Sequence, residues 1–443
     1  MSRVLFATWP FDGHLLPQLS IARALSERGH EVAFYSGEAA RASVEQAGFE
    51  LFAFERVDEQ RVLQTLHEID GGGRRSRPGR GRLLGLMRSW LVETMPGQVE
   101  DIRQVLARWP ADAICTDIAL WGPTLVLWEA QPIPVAMCAA VMGAAIPGPD
   151  APPLGFGMRP PRTRVGRLGS AAITRLTELL AIPIRRGVNE VRARYGLPAL
   201  RESVNRFAGR LPLYIVGNVR EFDYNRRDLP ASVHYVGNCI WYPQRAGGEQ
   251  QLERIPARRP WVHVTESTLA CDDPFLLRAA IDALAQEPVE VIVTTGERRE
   301  ASVLGEGPLP ANVHVARWLN HGELLPRCSA LVTLGGKSTV LAAAEAGVPM
   351  VLVPNSWEKP DNARRVTEAG AGIRLSARRL NPRGLRAAVR EVIAEPSYRK
   401  AAQRLAGQLA AAPGPARAAE LLEELAAGAR SGRHLATAIG ELV

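Results

Sequence analysis

The stretch ALVTLGGKSTVLAAAEAGVP at residues 330–349 joins an apolar run to an alanine-rich run through a double glycine. A strand followed by a glycine turn and a helix is the unit from which α/β folds are built. The start of such a helix presents free backbone N–H groups and the positive end of the helix dipole to an anion. Gly335 and Gly336 allow close approach, and Ser338 and Thr339 add hydroxyl donors. The stretch predicts an anion site, although a plain helix cap after a tight turn fits the same residues.

Short apolar or β-branched runs alternate with helical patterns along most of the chain, which predicts parallel strands joined by crossover helices. The series occurs twice. The strand candidates are 4–8, 31–36, 113–116, 134–139 and 213–217 in the first half, and 261–265, 289–294, 312–316, 330–333 and 350–353 in the second. We therefore expect the α/β fold class, with two doubly wound Rossmann-like domains that face each other across a cleft.

The length of 443 residues exceeds one ordinary hydrophobic core and favours two domains. Between the two strand series the periodicity fades, and polar, glycine-bearing sequence follows. We assign 1–218 to the N-terminal domain, 219–259 to an interdomain linker region, 260–415 to the C-terminal domain and 416–443 to a helical tail.

The bulk composition excludes several classes of protein. Hydrophobic residues make up 46% and charged residues 23% of the chain, which indicates a globular protein. Much of the net charge of +8 lies in the glycine-rich segment 71–82, which lacks aromatic residues to stack on bases. The chain shows no unbroken apolar run for a signal peptide or membrane helix, and its five cysteines lack metal-ligand spacing. We expect a cytoplasmic protein with no nucleic acid partner, no stable membrane insertion and no metal site.

A first candidate site follows the first predicted strand, in TWPFDGHLLPQLS at residues 8–20. We expect a loop with Gly13 and His14 there, and ligands of doubly wound sheets bind at the carboxyl ends of strands. An imidazole in that position can act as a general base, because the ordinary histidine pKa is about 6.5. Asp117 ends a later predicted strand and would orient the imidazole. A structural histidine and an aspartate that caps a turn are the alternative interpretations.

Three further segments point towards the same cleft, each with an alternative. Ser267 and Thr268 follow the first strand of the second domain, where hydroxyls and amides can reach a phosphate. Trp318 ends another strand, where its indole either stacks on a base or packs in the wall. Met137 and Met142 lie in an apolar stretch that either lines the cleft or belongs to the core.

Taken in order, the motifs resemble a known family. They are GHLLP at 13–17, RWL at 317–319, TLGGKST at 333–339, AEAGVP at 344–349, PNSWEKPDNARRV at 354–366 and AGAG at 369–372. The set resembles the GT-B glycosyltransferases of the UDP-glycosyltransferase type, especially bacterial enzymes that act on natural products, over nearly the whole chain. The resemblance implies an inverting, metal-independent enzyme that moves a sugar from a UDP- or dTDP-sugar to a small hydrophobic acceptor of antibiotic type. The nucleotide sugar is then a co-substrate, and no cofactor is expected.

The resemblance also implies roles for single residues. His14 would be the general base and Asp117 its support, and Gly13, Met137 and Met142 would lie near the acceptor in the N-terminal domain. The implied donor-binding residues are Ser267, Thr268, Trp318, Leu319, Leu334, Gly335, Gly336, Ser338, Thr339, Glu358 and Lys359. The helical tail would cross back onto the N-terminal domain.

Two positions depart from the family pattern. Leu334 stands where the family usually has the histidine of His-Gly-Gly, so a side-chain donor to the diphosphate is missing. Glu358 and Lys359 stand where Asp-Gln usually binds sugar hydroxyls. Lys359 is then a candidate partner for a sugar hydroxyl, for a phosphate or for Glu358.

Two other functions fit parts of the sequence. A GT-B sugar-nucleotide epimerase shares the diphosphate pocket but needs acid and base groups on the sugar ring. A non-catalytic auxiliary protein that binds nucleotide sugars would explain Leu334 and Lys359, although it would not need both His14 and Asp117. The acceptor, the donor sugar, the linkage atom and the oligomeric state do not follow from the sequence.

Overall fold

The computed structural model describes residues 1–70, 79–242, 248–266, 273–296, 299–305 and 307–440. Two parallel β-sheets form its framework, one in each half of the chain. The strands are β1 (Arg3–Ala7), β2 (Glu31–Ser36), β3 (Glu50–Ala53), β4 (Ala113–Asp117), β5 (Val135–Ala139), β6 (Leu213–Val216), β7 (Val233–Tyr235), β8 (Trp261–Thr265), β9 (Glu290–Thr294), β10 (Val313–Ala316), β11 (Cys328–Thr333), β12 (Met350–Leu352) and β13 (Gly372–Arg374).

The strand order makes both sheets doubly wound. The first sheet has seven strands in the order β3-β2-β1-β4-β5-β6-β7, and the second has six in the order β10-β9-β8-β11-β12-β13. The order reverses beside β1 in the first sheet and beside β8 in the second, so a crevice opens at the carboxyl ends of these strands. The expected α/β architecture of two Rossmann-like domains is confirmed.

Helices cover the sheets. They are α1 (Asp12–Glu27), α2 (Arg41–Gln46), α3 (Glu59–Asp70), α4 (Arg80–Leu91), α5 (Met95–Arg108), α6 (Trp128–Ala130), α7 (Arg164–Leu180), α8 (Ile182–Arg194), α9 (Val204–Ala208), α10 (Gly248–Glu253), α11 (Phe275–Leu284), α12 (His321–Leu324), α13 (Lys337–Glu345), α14 (Lys359–Glu368), α15 (Pro382–Ala394), α16 (Pro396–Ala410) and α17 (Pro415–Gly440). Because both faces of each sheet are covered, alternate residues of β1 enter different clusters: Leu5 packs in one, and Val4 and Phe6 in the other.

Three strands are absent from the sequence-based prediction. β3, β7 and β13 have only three or four residues and lie at sheet edges, so they carry no long apolar run. β7 falls inside the range 219–259 that we assigned to the linker region, yet it pairs with β6. The first sheet therefore continues to Tyr235.

The long C-terminal helix α17 packs on the first domain. Ala418, Ala419 and Leu422 are buried in the same cluster as Val4 and Phe6 of β1. An ion pair of 2.6 Å between Arg28 Nη2 and Glu423 Oε2 joins α17 to the end of α1. The tail thus contributes apolar surface to the core of the N-terminal domain.

Other parts of the chain bear on what the protein contacts. Most of the basic segment lies outside the described residues, but Arg80 and Arg82 belong to α4, and Arg82 pairs with Glu68 at 2.8 Å. Four cysteines are buried free thiols, and Cys271 lies outside the described residues. Among the described residues, the helices are too short or too polar to cross a lipid bilayer.

Candidate active site

His14 and Asp117 meet at the carboxyl ends of two neighbouring strands. His14 lies in the first turn of α1, directly after β1, and not in a loop before the helix as the sequence suggested. Asp117 is the last residue of β4, which pairs with β1. His14 Nδ1 lies 3.3 Å from Asp117 Oδ2, within ion-pair range but outside hydrogen-bond geometry. Nε2 is therefore the ring nitrogen left for a substrate.

The carboxylate of Asp117 is held by four hydrogen bonds. Oδ2 accepts from Thr8 Oγ1 and from the backbone N–H of Trp9, both at 3.0 Å. Oδ1 accepts from the backbone N–H groups of Ala119 at 2.6 Å and Leu120 at 3.1 Å. Both interpretations of Asp117 thus describe real contacts, because one oxygen caps the turn after β4 and the other lies beside His14.

The Asp117 side chain is fully buried, while that of His14 is 22% exposed. Burial acts to raise the pKa of Asp117, but the adjacent His14 and the N–H groups of Trp9 and Ala119 outweigh it, and the net pKa lies below its ordinary value. The carboxylate is therefore ionised at neutral pH. It can stabilise an imidazolium on His14, which a general base becomes when it takes a proton.

A cavity of about 520 Å³ lies between the two domains, and His14 and Gly13 line it. Its walls come from the segments that follow β1, β3, β4, β5 and β7 in the first sheet and β8, β10, β11 and β12 in the second. Large pockets between domains, at the carboxyl ends of parallel strands, are the usual place for small-molecule sites in this class of fold.

The wall from the N-terminal domain is mainly apolar. The side chains that form it include Phe11, Leu66, Met87, Trp90, Leu91, Ile118 and Trp121. Met137 and Met142, which we expected to line this wall, are only 1% and 0% exposed and belong to hydrophobic clusters instead. The expected cleft position of both methionines is wrong, because β5 is buried on both faces and Met142 packs in a hydrophobic cluster, while Ala140 and Val141 between them line the cavity.

The glycine turn before α13 has the form that the sequence predicts. Gly335 has φ +92°, which a side chain would strain, and its carbonyl accepts a hydrogen bond of 2.9 Å from Asn362 Nδ2. Gly336, Ser338 and Thr339 line the cavity at the start of the helix. Leu334 is 1% exposed in the core of the C-terminal domain, so its expected position in the donor site is wrong.

The other donor-side candidates divide into three groups. Trp318 and Leu319, which follow β10, both line the cavity. Glu358 and Lys359 line it as well, and Lys359 Nζ donates to Asn355 Oδ1 at 3.3 Å and Ser356 Oγ at 3.4 Å. Ser267 and Thr268 lie outside the described residues, so their prediction stays open.

Among the lining residues that sequence reasoning missed, four lie on the second domain: Glu266, His321, Lys337 and Trp357. Glu266 directly follows β8 and forms a buried ion pair with Arg299 at 2.7 Å. Trp357 has φ 55°, a strained conformation for a bulky residue, and its ring meets that of Trp90 edge-on at 5.8 Å across the domain boundary.

Lys337 is a buried cation at the first position of α13. It is 6% exposed, and burial lowers the pKa of its ammonium. Nζ donates to the carbonyl of Ala139 in the other domain at 2.6 Å, its one hydrogen-bond partner among the described residues. The charge of Glu358 acts against this lowering of the pKa, and the single hydrogen bond leaves ammonium protons that can bind an anion in the cavity. Its position inside GGKST was the signal available in the sequence.

Two facing doubly wound domains with a shared cavity define the GT-B class of fold. Residues 278–425 match the family described as "Erythromycin biosynthesis protein CIII-like, C-terminal domain". The chain is 36% identical over 439 residues to 4'-demethylrebeccamycin synthase of Lentzea aerocolonigenes, covering 96% of this chain and 99% of that protein. It is 28% identical to aklavinone 7-beta-L-rhodosaminyltransferase of Streptomyces galilaeus, with 97% of each chain covered. The protein therefore belongs to the family of natural-product glycosyltransferases.

Solved structures show the same fold. The glycosyltransferase of kitacinnamycin superposes with a TM-score of 0.73 at 20% identity, covering 96% of this chain and 98% of that one. Spinosyn rhamnosyltransferase SpnG complexed with thymidine diphosphate superposes with a TM-score of 0.68 at 20% identity, covering 95% and 100%. At this identity the likeness concerns the fold alone.

Proposed function

We propose that this glycosyltransferase moves a sugar from a UDP- or dTDP-sugar to a hydroxyl of a small apolar natural product, with inversion at the anomeric carbon. The observation that carries the proposal is the pairing of His14 with the ionised Asp117 on the wall of the interdomain cavity. Relatives named for a rhodosaminyl transfer and for a rebeccamycin-type product support a natural-product acceptor.

In the proposed reaction, His14 Nε2 removes the proton of the acceptor hydroxyl. The oxygen then forms a bond to the anomeric carbon while the bond from that carbon to the diphosphate breaks, and the electron pair leaves with the diphosphate. Attack from the side opposite the leaving group inverts the configuration. Asp117 stabilises the imidazolium that results, and the apolar wall with Trp90 and Trp121 gives the acceptor a dry surface.

The proposed donor half lies on the second domain. The first turn of α13 would bind the diphosphate through backbone N–H groups at Gly336 and through the hydroxyls of Ser338 and Thr339. Lys337 would supply the side-chain donor to the diphosphate that is missing because Leu334 stands in place of the family histidine. Trp318 and Leu319 would contact the nucleobase, and Glu358 and Lys359 the sugar. Because these groups would stabilise the negative charge on the leaving diphosphate, the proposed reaction needs no metal ion. EDTA should therefore leave the rate of sugar transfer unchanged.

The test is a mass-spectrometric screen of nucleotide sugars against a panel of aromatic and macrolide aglycones. Consumption of a nucleotide sugar only when an acceptor is present, with a glycosylated product, supports the proposal. Conversion of a nucleotide sugar without an acceptor would instead indicate an epimerase, and binding without any conversion would indicate an auxiliary protein. Proton NMR of the product, which reports the anomeric configuration, tests inversion.

A further inference from the structure

Two histidines form a pair on the donor side of the cavity. His263 is fully buried in the middle of β8, and His321 begins α12 and lines the cavity beside Trp318 and Leu319. Their Nε2 atoms are 3.3 Å apart, and the two rings meet edge-on with centroids 5.2 Å apart. The pair plays no part in the proposed chemistry at His14.

The hydrogen bonds of His263 fix the position of its proton. Nδ1 lies 3.0 Å from the carbonyl oxygen of Ile292, and a carbonyl can only accept, so Nδ1 carries the proton. Burial lowers the pKa of His263 to about 3 and the pKa of His321 to about 4. Both rings are therefore neutral near pH 7, and the Nε2 of His263 is an acceptor.

The same reasoning fixes His321. Its Nε2 faces an acceptor, so it must donate, and the single proton of the neutral ring is then on Nε2. Nδ1 of His321 is left with a lone pair. Among the described residues this atom has no hydrogen-bond partner, and the neighbouring donor, Asn320 Nδ2, donates to Glu323 Oε1 at 3.2 Å instead. Nδ1 of His321 is thus a hydrogen-bond acceptor on a residue of the cavity wall.

We propose that His321 Nδ1 accepts a hydrogen bond from the nucleoside of the donor substrate, and that His263 is a positioning residue that fixes the required tautomer. The inference rests on the proposed function, which puts the nucleobase beside Trp318 and Leu319. Uracil and thymine offer N3–H, and the sugar of the nucleoside offers O–H, so both sources supply the proton that His321 needs. Cytosine has a lone pair at N3, and its contact with Nδ1 would be repulsive.

The tautomers are tested first in the ligand-free protein. Long-range proton–nitrogen correlation spectra of the protein labelled with ¹⁵N-histidine distinguish protonated from unprotonated ring nitrogens, and His263→Phe and His321→Phe assign the signals. We expect His263 protonated on Nδ1 and His321 on Nε2, with His321 distributed over both tautomers in His263→Phe. A proton on Nδ1 of His321 in the wild type, or an unchanged His321 signal in His263→Phe, would overturn the claim that His263 fixes the tautomer of His321.

Binding is tested by calorimetric titration with UDP, dTDP, CDP, 2'-deoxy-UDP and the diphosphate of 3-methyluridine. We expect His321→Phe to lose about tenfold in UDP affinity, one neutral hydrogen bond. If the contact is to N3–H, UDP should also bind about tenfold more tightly than CDP, and if it is to the ribose the two should bind equally. His321→Gln keeps an acceptor and should restore most of that affinity. A loss with 3-methyluridine diphosphate assigns the contact to N3–H, and a loss with 2'-deoxy-UDP assigns it to the ribose.

The matched control is His314→Phe. His314 lies on β10, where its Nε2 is hydrogen-bonded to Glu290 Oε2 at 2.9 Å, and it does not line the cavity, so this variant should bind UDP like the wild type. Unchanged UDP affinity in His321→Phe would overturn the role of His321 while leaving the donor assignment intact. If the wild type binds neither UDP nor dTDP, the proposed function and the contact at His321 both fail. The spectra of the ligand-free protein still test whether His263 fixes the tautomer of His321.

Discussion

Replacing Asp117 with asparagine removes the charge beside His14 and keeps the shape of the side chain. At the observed 3.3 Å and an effective dielectric constant of about 20, the attraction between a full imidazolium and the carboxylate is about 5 kcal/mol. With roughly half of that charge formed in the transition state, the variant loses about 2.5 kcal/mol, or on the order of 10²-fold in kcat. Because the acceptor does not contact Asp117, KM should change little.

The same variant should also be less stable, for a reason that is visible in its hydrogen bonds. An asparagine that keeps its oxygen towards Ala119 and Leu120 turns its NH₂ group towards the N–H of Trp9, which then has no acceptor. One buried unsatisfied donor costs about 1–3 kcal/mol. The opposite orientation would leave two backbone donors without an acceptor, so the first is preferred.

The pH dependence of this stability follows from the lowered pKa of Asp117 in the folded state. The folded chain holds the proton less strongly than the unfolded chain, so the contribution is complete above an unfolded pKa of about 3.9 and is lost as the pH falls through the folded value. The difference in stability between wild type and Asp117→Asn should therefore be constant at neutral pH and shrink below about pH 4.

Asp101→Asn separates lost chemistry from lost stability. Asp101 is 2% exposed and accepts hydrogen bonds from Tyr35 Oη, the backbone N–H groups of Glu55 and Arg56, and Arg56 Nη1, but it does not line the interdomain cavity. It should lower the urea midpoint as Asp117→Asn does and leave kcat unchanged. Steady-state kinetics with the best pair from the screen measure both variants. Equal kcat values in the two variants would refute the role given to Asp117.

Further predictions concern the second domain. Gly335→Ala should lose about 1–2 kcal/mol of stability in urea because of its φ of +92°. Gly336→Ala has open space around its Cβ and should fold normally but bind UDP more weakly in calorimetric titrations. Lys337→Met should weaken UDP binding at least about tenfold and leave uridine binding unchanged, since it removes a charged donor; equal losses for both ligands would contradict a phosphate contact. His263 has a folded pKa of about 3, below the unfolded value, so its contribution to stability is complete above about pH 6.5 and falls by at most about 1.4 kcal/mol per pH unit below it. His263→Phe should remove the His263 part of the slope in urea titrations between about pH 6 and pH 4 and leave the part from His321, whose pKa is also lowered.

The sequence predicts the site best where the topology determines position. The carboxyl ends of neighbouring parallel strands meet at one edge of a sheet, so two strand-end residues such as His14 and Asp117 can be placed together without a structure. The glycine turn at Gly335 follows from local chemistry in the same way. Only the exact start of α1 differed, because helix boundaries depend on caps that the sequence indicates weakly.

Other features depend on packing that leaves no pattern in the sequence. A strand buried on both faces is apolar throughout, so its composition does not tell which way Met137 points. Leu334 directly follows the mainly apolar strand β11, so the sequence does not show that its side chain turns into the core. His263 and His321 are 58 residues apart, and their contact depends on the neighbouring positions of β8, β9 and β10 in the second sheet.

The most direct test of the central claim is the rate of sugar transfer by His14→Ala, measured with the donor and acceptor that give the highest turnover in the screen. General-base catalysis typically contributes about 10²–10⁴-fold, so we expect kcat to fall by that factor. The affinity for UDP or dTDP should stay at the wild-type value, because the proposed nucleotide contacts come from the other domain. Transfer at the wild-type rate by His14→Ala would contradict the account.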